Sequence, residues 1–546
     1  MTHRNDPAID DPGFATLSVA SILAESAQRH AERPALVFAG ATTTYGELWD
    51  EVRAYAGALR ARGIGPGDRV AMIVPNVPDF ARVYYAALAL GAVVVPVHLL
   101  FKAEEIAYVL RDAEADIFVV AAPLLGEAMP AAAATGIPVV TVLLPAGMPA
   151  PVGDLPRLEQ EAAAAEPIAR HAGTRPSDPA TILYTSGTTG TPKGAVGSHL
   201  ALVEQVHCTL IDSFNLHSGD IVFGGLPLFH TFGQTAVMNM AFRVGAAIIL
   251  LPRFDADEAL ALMVTHGATV FTAVPTMYVG MLEAARRSDV RPPLRYAVSG
   301  GAALPVAVLE AFRDTFGADV HEGYGLTETA PIVSSNSLVE PIRPGTVGRP
   351  LWGVDVAIAD PDVDERITLL TDPEALGEVV VRGHNLFKGY LGRPEATEAA
   401  IVDGWFRTGD LGRLIDGVLT IVDRKKDMIV RSGYNVYPTE VEAVIARHPG
   451  VAVAAVFGVA DDLRGQEVHV AVVPHDGHSV DADELIAFTR ERIAAYKYPR
   501  VVHLVAELPL GGSGKVLKRE LVARYSPVPS ATAAAVVPDA GVRPIA

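Results

Sequence analysis

From residue 68 onward, short apolar runs recur between longer stretches with helical spacing. Residues 70–74, 92–97 and 117–120 are continuous runs rich in Val, Ile and Ala, as strands buried on both faces require. Residues 77–90 and 104–113, lying between them, place apolar side chains at helical intervals. The same rhythm resumes at residues 221–223, 246–251, 270–274 and 295–298. Such alternation predicts a mostly parallel sheet covered by helices. Upstream, residues 18–30 have helical spacing, and residues 35–38 and 42–45 read as short strands. Residues 128–167, rich in Ala, Pro and Gly, read as a surface excursion. After Pro350 short strands dominate, at residues 354–358 and 378–382, and suggest a small barrel-like element. Beyond Asp423 comes a compact α+β pattern: a helix at 440–447, strands at 451–459 and 467–473, a helix at 483–493. Residues 526–546 hold few charges and no period, so they read as a disordered tail.

Composition narrows the class. The 546 residues are half hydrophobic and leave room for more than one core. The net charge of −19 argues against a nucleic-acid binder, because no basic field offsets phosphate repulsion. The basic run Arg424-Lys-Lys426 is short. A single cysteine, Cys208, excludes an internal disulfide framework and fits a reducing compartment. The N-terminus shows no signal peptide, and the apolar stretch 86–97 is short and broken by Gly91 and Pro96. A cytoplasmic enzyme without an integral membrane segment is the expectation, and a homodimer is left open.

The chemistry concentrates in Tyr184-Thr-Ser-Gly-Thr-Thr-Gly-Thr-Pro-Lys-Gly194, directly after an apolar run. Glycines allow the backbone to approach a ligand closely, hydroxyls and amides donate hydrogen bonds, and Lys193 adds charge. The combination suits a polyphosphate. It is not a P-loop, because Lys193 follows Pro192 and precedes Gly194. Further motifs follow: Pro227-Leu-Phe-His-Thr-Phe-Gly233, Ser299-Gly-Gly-Ala-Ala303, Gly323-Tyr-Gly-Leu-Thr-Glu328, Trp405-Phe-Arg-Thr-Gly-Asp410, Asp423-Arg-Lys-Lys-Asp-Met-Ile429 and Leu508-Pro-Leu-Gly-Gly-Ser-Gly-Lys515. Singly each has an ordinary reading. A histidine among aromatics is commonly a core residue, Asp after Gly a turn residue, and a loop lysine simply solvated.

In their order and spacing these motifs resemble the adenylate-forming superfamily: acyl-CoA synthetases, adenylation domains of peptide synthetases and luciferases. The resemblance spans roughly residues 15 to 525. It implies an α/β fold with a large N-terminal domain, residues 1–422, built from two helix-covered sheets and a small β barrel. A hinge at 423–426 would join it to a mobile small α+β domain, residues 427–525. It also implies ATP, Mg²⁺ and coenzyme A as cofactor and co-substrates.

Roles follow from that resemblance, residue by residue. Thr185, Ser186, Gly187, Thr188, Thr189 and Gly190 would cradle the β- and γ-phosphates, with Lys193 beside them. Gly301 and Ala302 would form a flat slot for adenine, with Gly323, Tyr324 and Gly325 on its other face and Glu322 near the amino group. Thr327 would contact the α-phosphate and Glu328 would hold Mg²⁺, which prefers carboxylate and phosphate oxygens. Asp410 would accept both ribose hydroxyls, assisted by Arg424. His230 would lie beside the acyl group, contacting the carboxylate or gating rather than abstracting a proton. Val274, Gly300, Ala330 and Val333 would wall the acyl pocket. Lys515 would bridge the substrate carboxylate and the α-phosphate. Rotation about Lys426 would then withdraw Lys515 and bring Ser432, Gly433 and Tyr434 to the thiol arm of CoA. The pocket walls are apolar and lack an arginine except Arg243, slightly beyond. They favour a fatty acid of medium or long chain, then an aryl acid. An acyl-AMP ligase that loads a carrier protein, a regulatory nucleotide binder and a phosphotransferase are the rival readings.

Overall fold

The computed structural model describes residues 17–143, 155–185, 192–511 and 514–526. The expected β/α alternation builds two sheets. In the nine-stranded sheet the strands run in the order Arg349–Pro350, Ile332–Ser335, Val320–Gly325, Tyr296–Ser299, Val270–Ala273, Ile221–Gly224, Ala247–Leu250, Pro34–Phe38, Ala41–Thr44. Its middle is parallel, while the hairpin partners at both edges are antiparallel. In the six-stranded sheet the order is Val139–Val142, Ile117–Ala121, Arg69–Ile73, Val93–Pro96, Pro179–Thr185, Lys193–Ser198. All its pairs are parallel except the last.

The helix Pro78–Ala89 shows why both sheets share one core. Nearly every residue of it is buried, because it packs between layers instead of against solvent. One cluster joins Phe80, Tyr84 and Tyr85 to Phe242, Phe271 and Phe312. Helix starts follow local chemistry. Val19–Arg29 is capped by the Ser18 hydroxyl, and Tyr45–Ala61 by a Thr44–Glu47 capping box.

The described part of the region read as a surface excursion holds regular elements, while its residues 144–154 lie outside the described residues. Leu125–Thr135 is a helix that buries Ala128, Ala131 and Ala132, and Val139–Val142 is an edge strand. Alanines bury their faces without the strong apolar contrast that reveals a helix in sequence.

After Pro350, the strands Val354–Ala359, Gly377–Gly383, Trp405–Ile415, Ile401–Val402 and Val418–Arg424 form a five-stranded antiparallel sheet. Beyond it a turn at Lys425, Lys426 and Asp427 leads into a second five-stranded sheet, of Tyr434–Val436, Ile429–Arg431, Gly465–Pro474, Val451–Asp461 and Val501–Leu504. This small lobe has its own core, with Ile429, Val441, Ile445, Val456, Val470 and Leu485. A separate core and an exposed connecting Lys426 suit a domain joined at one point. Residues 527–546 of the expected tail lie outside the described residues. Among the described residues no helix is long and apolar enough to cross a membrane.

Candidate active site

A cleft opens at the carboxyl ends of the parallel strands of the nine-stranded sheet, where open α/β sheets bind ligands. It holds about 800 Å³ of empty space, counting its open mouth. Strand Tyr296–Ser299 ends there, and Gly300 and Gly301 line the mouth. Gly301 has φ +86°, and a Cβ on it would meet Val274 Cγ1 at 3.4 Å and Lys515 Cε at 3.5 Å. The backbone thus turns at a point where a side chain from the small lobe arrives.

Lys515 lines this cleft although it belongs to the small lobe. Its neighbour Gly514 rests on the large lobe: the Thr276 hydroxyl donates to the Gly514 carbonyl at 3.2 Å. At φ +78° a Cβ on Gly514 would lie 2.8 Å from Val274 Cγ2, so the close approach requires glycine. Glu283 and His475 form a second contact between the lobes at 2.6 Å. Burial lowers the Lys515 pKa to about 8; Arg424 adds to this, and Asp410 and Glu328 oppose it.

Asp410 and Arg424 face each other across adjacent strands, 3.4 Å apart. The Tyr324 hydroxyl donates to Asp410 Oδ2 at 2.7 Å. Burial raises the Asp410 pKa, and Arg424, the Tyr324 hydrogen bond and Lys515 pull it back down. A buried carboxylate flanked by a phenol and a guanidinium is a built acceptor for hydroxyl donors. Gly323, Tyr324, Gly325 and Thr327 line the same cleft.

Glu322 sits on the neighbouring position of strand Val320–Gly325 and is not among the cleft-lining residues. Burial raises its pKa to about 7 despite backbone N–H groups of Leu304 and Gly345, and its Oε2 has no partner. Glu328 is buried beside the Thr327 position, and the Tyr390 hydroxyl donates to its Oε1 at 2.8 Å. The Lys193 ammonium stands 5.1 Å from the centre of the Tyr390 ring. Thr185 and Lys193 face each other across the antiparallel strands that bound the phosphate-loop sequence. Ser186, Gly187, Thr188, Thr189 and Gly190 lie outside the described residues.

His230 lines the cleft next to Phe232. Its approach segment is fixed by Asn76, which donates to the carbonyls of Gly224 and Leu226 and accepts the Leu228 N–H. The Phe232 N–H donates to His230 Nδ1 at 3.3 Å, so the neutral ring carries its proton on Nε2. Burial, reinforced by Lys515 and His98, lowers the His230 pKa to about 3. The ring is therefore a hydrogen-bond donor and a poor base.

The deep part of the cleft extends beyond the wall expected from sequence. Phe214, Leu216, Val222, Val270, Thr272, Tyr296 and Val298 line it, together with Ala236 and Met240 from Gly233–Asn239 and the following helix. Strand alternation could have found Val270, Thr272 and Val298, since Phe271 between them packs on Tyr278 and Phe312. Phe214 and Tyr296 stack at 5.7 Å and need the fold to meet.

Two expected wall residues fall elsewhere. Val333 is fully buried in the core with Leu351, Val354 and Val379, because its strand turns Ile332 to the cleft and Val333 away. Ala330 is buried at φ +60°, and Pro331 after it supplies the wall. Val274 acts as the seat for Gly301 and Gly514. Ala302 and Arg424 border the site without lining the apolar cleft. Arg243 points to His207 at 3.0 Å and does not line it. Ser432 and Gly433 form the hairpin turn after Ile429–Arg431, with φ of 51° and 81°, and Tyr434 is exposed and stacked on Tyr496 at 4.8 Å. None of these three lines the cleft.

With this geometry in view, comparison with known proteins gives the class. The model of the AMP-binding enzyme family matches residues 23–391, and the model of the AMP-binding enzyme C-terminal domain matches residues 440–515. The chain belongs to this family, the adenylate-forming superfamily. It is 34% identical to the long-chain-fatty-acid–CoA ligase of Bacillus subtilis (strain 168), over 92% of this chain and 93% of that one. It is 36% identical to a feruloyl-CoA synthase of Amycolatopsis sp, covering 89% and 94%. Among solved structures it superposes on the anthranilate CoA ligase AuaEII in complex with anthranoyl-AMP with a TM-score of 0.86, at 25% identity, covering 93% and 97%.

Proposed function

We propose that the protein activates an apolar monocarboxylic acid, a fatty acid of medium or long chain first, an aryl acid second. The enzyme is an ATP-dependent, AMP-forming CoA ligase that uses Mg²⁺ and coenzyme A. The carboxylate attacks the α-phosphate, pyrophosphate leaves, and the acyl-adenylate then passes its acyl group to the CoA thiol.

The observation that carries this reading is the position of Lys515. A small-lobe ammonium sits at the mouth of an apolar cleft, beside Gly301 and within the field of Asp410 and Glu328. Two anions must meet there, and a fixed positive charge in a water-poor site lowers the barrier to their meeting. His230, neutral and donating through Nε2, offers a hydrogen bond to the acid without competing for its proton. Asp410 would hold the ribose, and the slot between Gly301 and Tyr324 the adenine.

Glu328 and the Thr327 hydroxyl are hard oxygen donors, which suits Mg²⁺. Among the described residues there is no cluster of three or more metal-ligating side chains. One carboxylate plus substrate phosphates is the usual way this ion is held. When bound, it supplies charge neutralisation to the phosphates.

Substrate class rests on the walls. From Gly300 back to Tyr296 the cleft follows four residues of strand, about 13 Å at 3.3 Å each. Its sides are aliphatic and its far end is the Phe214–Tyr296 stack, which also suits an aromatic acid. Pyrophosphate release is measured across fatty, aryl and dicarboxylic acids with and without CoA. Release with apolar monocarboxylates, and thioester only when CoA is present, supports the reading. A preference for dicarboxylates refutes the substrate class.

A further inference from the structure

We infer that Tyr390 is a positioning residue that aims the Glu328 carboxylate at the metal ion and ties it to the strand carrying Lys193. The inference rests on the reading of Glu328 as the metal-directed group.

The geometry is specific. Residues 387–391 run alongside strand Lys193–Ser198, the exit strand of the phosphate-loop hairpin. The Lys388 N–H donates to the Val196 carbonyl at 2.8 Å, the Val196 N–H to Gly389 at 3.1 Å, and the Leu391 N–H to Gly194 at 2.8 Å. At the other end the Phe387 N–H donates to the Glu328 carbonyl at 2.9 Å. One short segment therefore touches both the Thr327-Glu328 motif and the strand that leaves the phosphate loop.

The ring of Tyr390 completes that bridge. Its hydroxyl donates to Glu328 Oε1 at 2.8 Å, and its face lies 5.1 Å from the Lys193 ammonium. The side chain has little freedom to leave. Phe387 packs edge-on at 4.8 Å, and the Tyr390 N–H donates to the Thr397 hydroxyl at 2.9 Å. Gly389 before it has φ +124°, with space so tight that a Cβ would meet Thr397 at 2.7 Å.

A phenol donating to one carboxylate oxygen does two things. It fixes the plane of the carboxyl group, and it leaves the second oxygen to coordinate. A carboxylate free to rotate would lose that aim, as ligand orientation by an outer partner generally shows. The ring face meanwhile gives Lys193 a resting contact from which a triphosphate can draw it.

The test is equilibrium binding of ATP to the full chain, titrated with Mg²⁺, for wild type, Tyr390→Phe and Glu328→Gln. Tyr390→Phe keeps the ring and its contact with Lys193 and removes only the hydroxyl. The Mg²⁺ concentration that half-saturates the gain in ATP affinity should rise about tenfold, the size of one hydrogen bond to a charged group. Affinity for metal-free ATP should stay at the wild-type value. An unchanged Mg²⁺ half-point in Tyr390→Phe, with Glu328→Gln shifted, overturns the inference alone. Equal weakening with and without Mg²⁺ also overturns it, as it shows a merely structural role. A wild-type Mg²⁺ response in Glu328→Gln removes the metal reading of Glu328 and the inference with it.

Discussion

The two sides of the cleft are built in contrasting ways. On the large lobe, Asp410, Tyr324 and Arg424 come from strands and hold one another by direct contacts. On the small lobe, Lys515 comes from a loop that rests on Val274 and one hydrogen bond from Thr276. The first arrangement fixes the carboxylate proposed to hold the ribose. The second rests the Lys515 loop on few contacts, with Glu283–His475 as a further tie between the lobes, which is what the proposed withdrawal of the charge after adenylation would need. A side chain on a sheet is held by its neighbours, while one on a loop has fewer ties, and the proposed mechanism uses that difference.

That contrast can be broken by measuring the two half-reactions separately. The largest effect is expected for Lys515→Ala: acyl-adenylate formation should fall by about 10²-fold or more, the scale of one lost electrostatic contact to a transition state. Thioester formation from supplied acyl-adenylate should stay near wild type. Equal loss in both steps would mean that Lys515 is not withdrawn between them.

Asp410→Asn should behave oppositely. The ribose contact proposed for it would persist in the adenylate, so both half-reactions should weaken, each by about tenfold, as expected for a hydrogen bond to a charged group. Loss confined to the first step would place Asp410 elsewhere in the mechanism.

Acidity sharpens the contrast further. The Lys515 pKa is about 8, and only the ammonium form neutralises charge. Adenylation kcat/KM, which reports the free enzyme, should therefore be flat below pH 8 and fall about tenfold per unit well above it. The thioester step should lack that limb. A descending limb of the same position in Lys515→Arg would assign it to another group.

A separate effect falls on stability and not on rate. The Glu322 pKa is raised to about 7 in the fold, against an ordinary value near 4.5. Between those values the unfolded chain releases a proton that the folded chain retains, so stability falls as pH rises from about 4.5 to 7. Glu322→Gln removes that dependence. It should be more stable than wild type at pH 8 by up to about 3 kcal/mol, read as a raised unfolding temperature, and match it at pH 4.5. No difference at pH 8 would mean that Glu322 is ionised without strain.

Much of this was legible in sequence because its signals are local. Continuous apolar runs gave the parallel strands, since burial on both faces needs no alternation. The glycine-rich motifs at 299–303 and 323–328 reported backbone that must approach a ligand, while Lys515 could be picked out only through the resemblance carried by the motifs in order. What was hidden depends on partners distant in the chain. Tyr390 reaches Glu328 across 62 residues, and nothing within Gly389-Tyr-Leu391 marks that contact. Phe214 and Tyr296 meet only after folding. The π-helical stretch Gly233–Asn239 follows no period that a helical reading detects, and Val333 was misplaced because one step along a strand reverses its face.

The central claim is that the acid attacks the α-phosphate under the small-lobe ammonium. The most direct measurement uses a substrate acid labelled with heavy oxygen in its carboxylate, turned over with ATP, Mg²⁺ and CoA, followed by mass analysis of the nucleotide product. The account predicts that one labelled oxygen appears in AMP and none in pyrophosphate. Label in inorganic phosphate, with ADP as the nucleotide product, would contradict it.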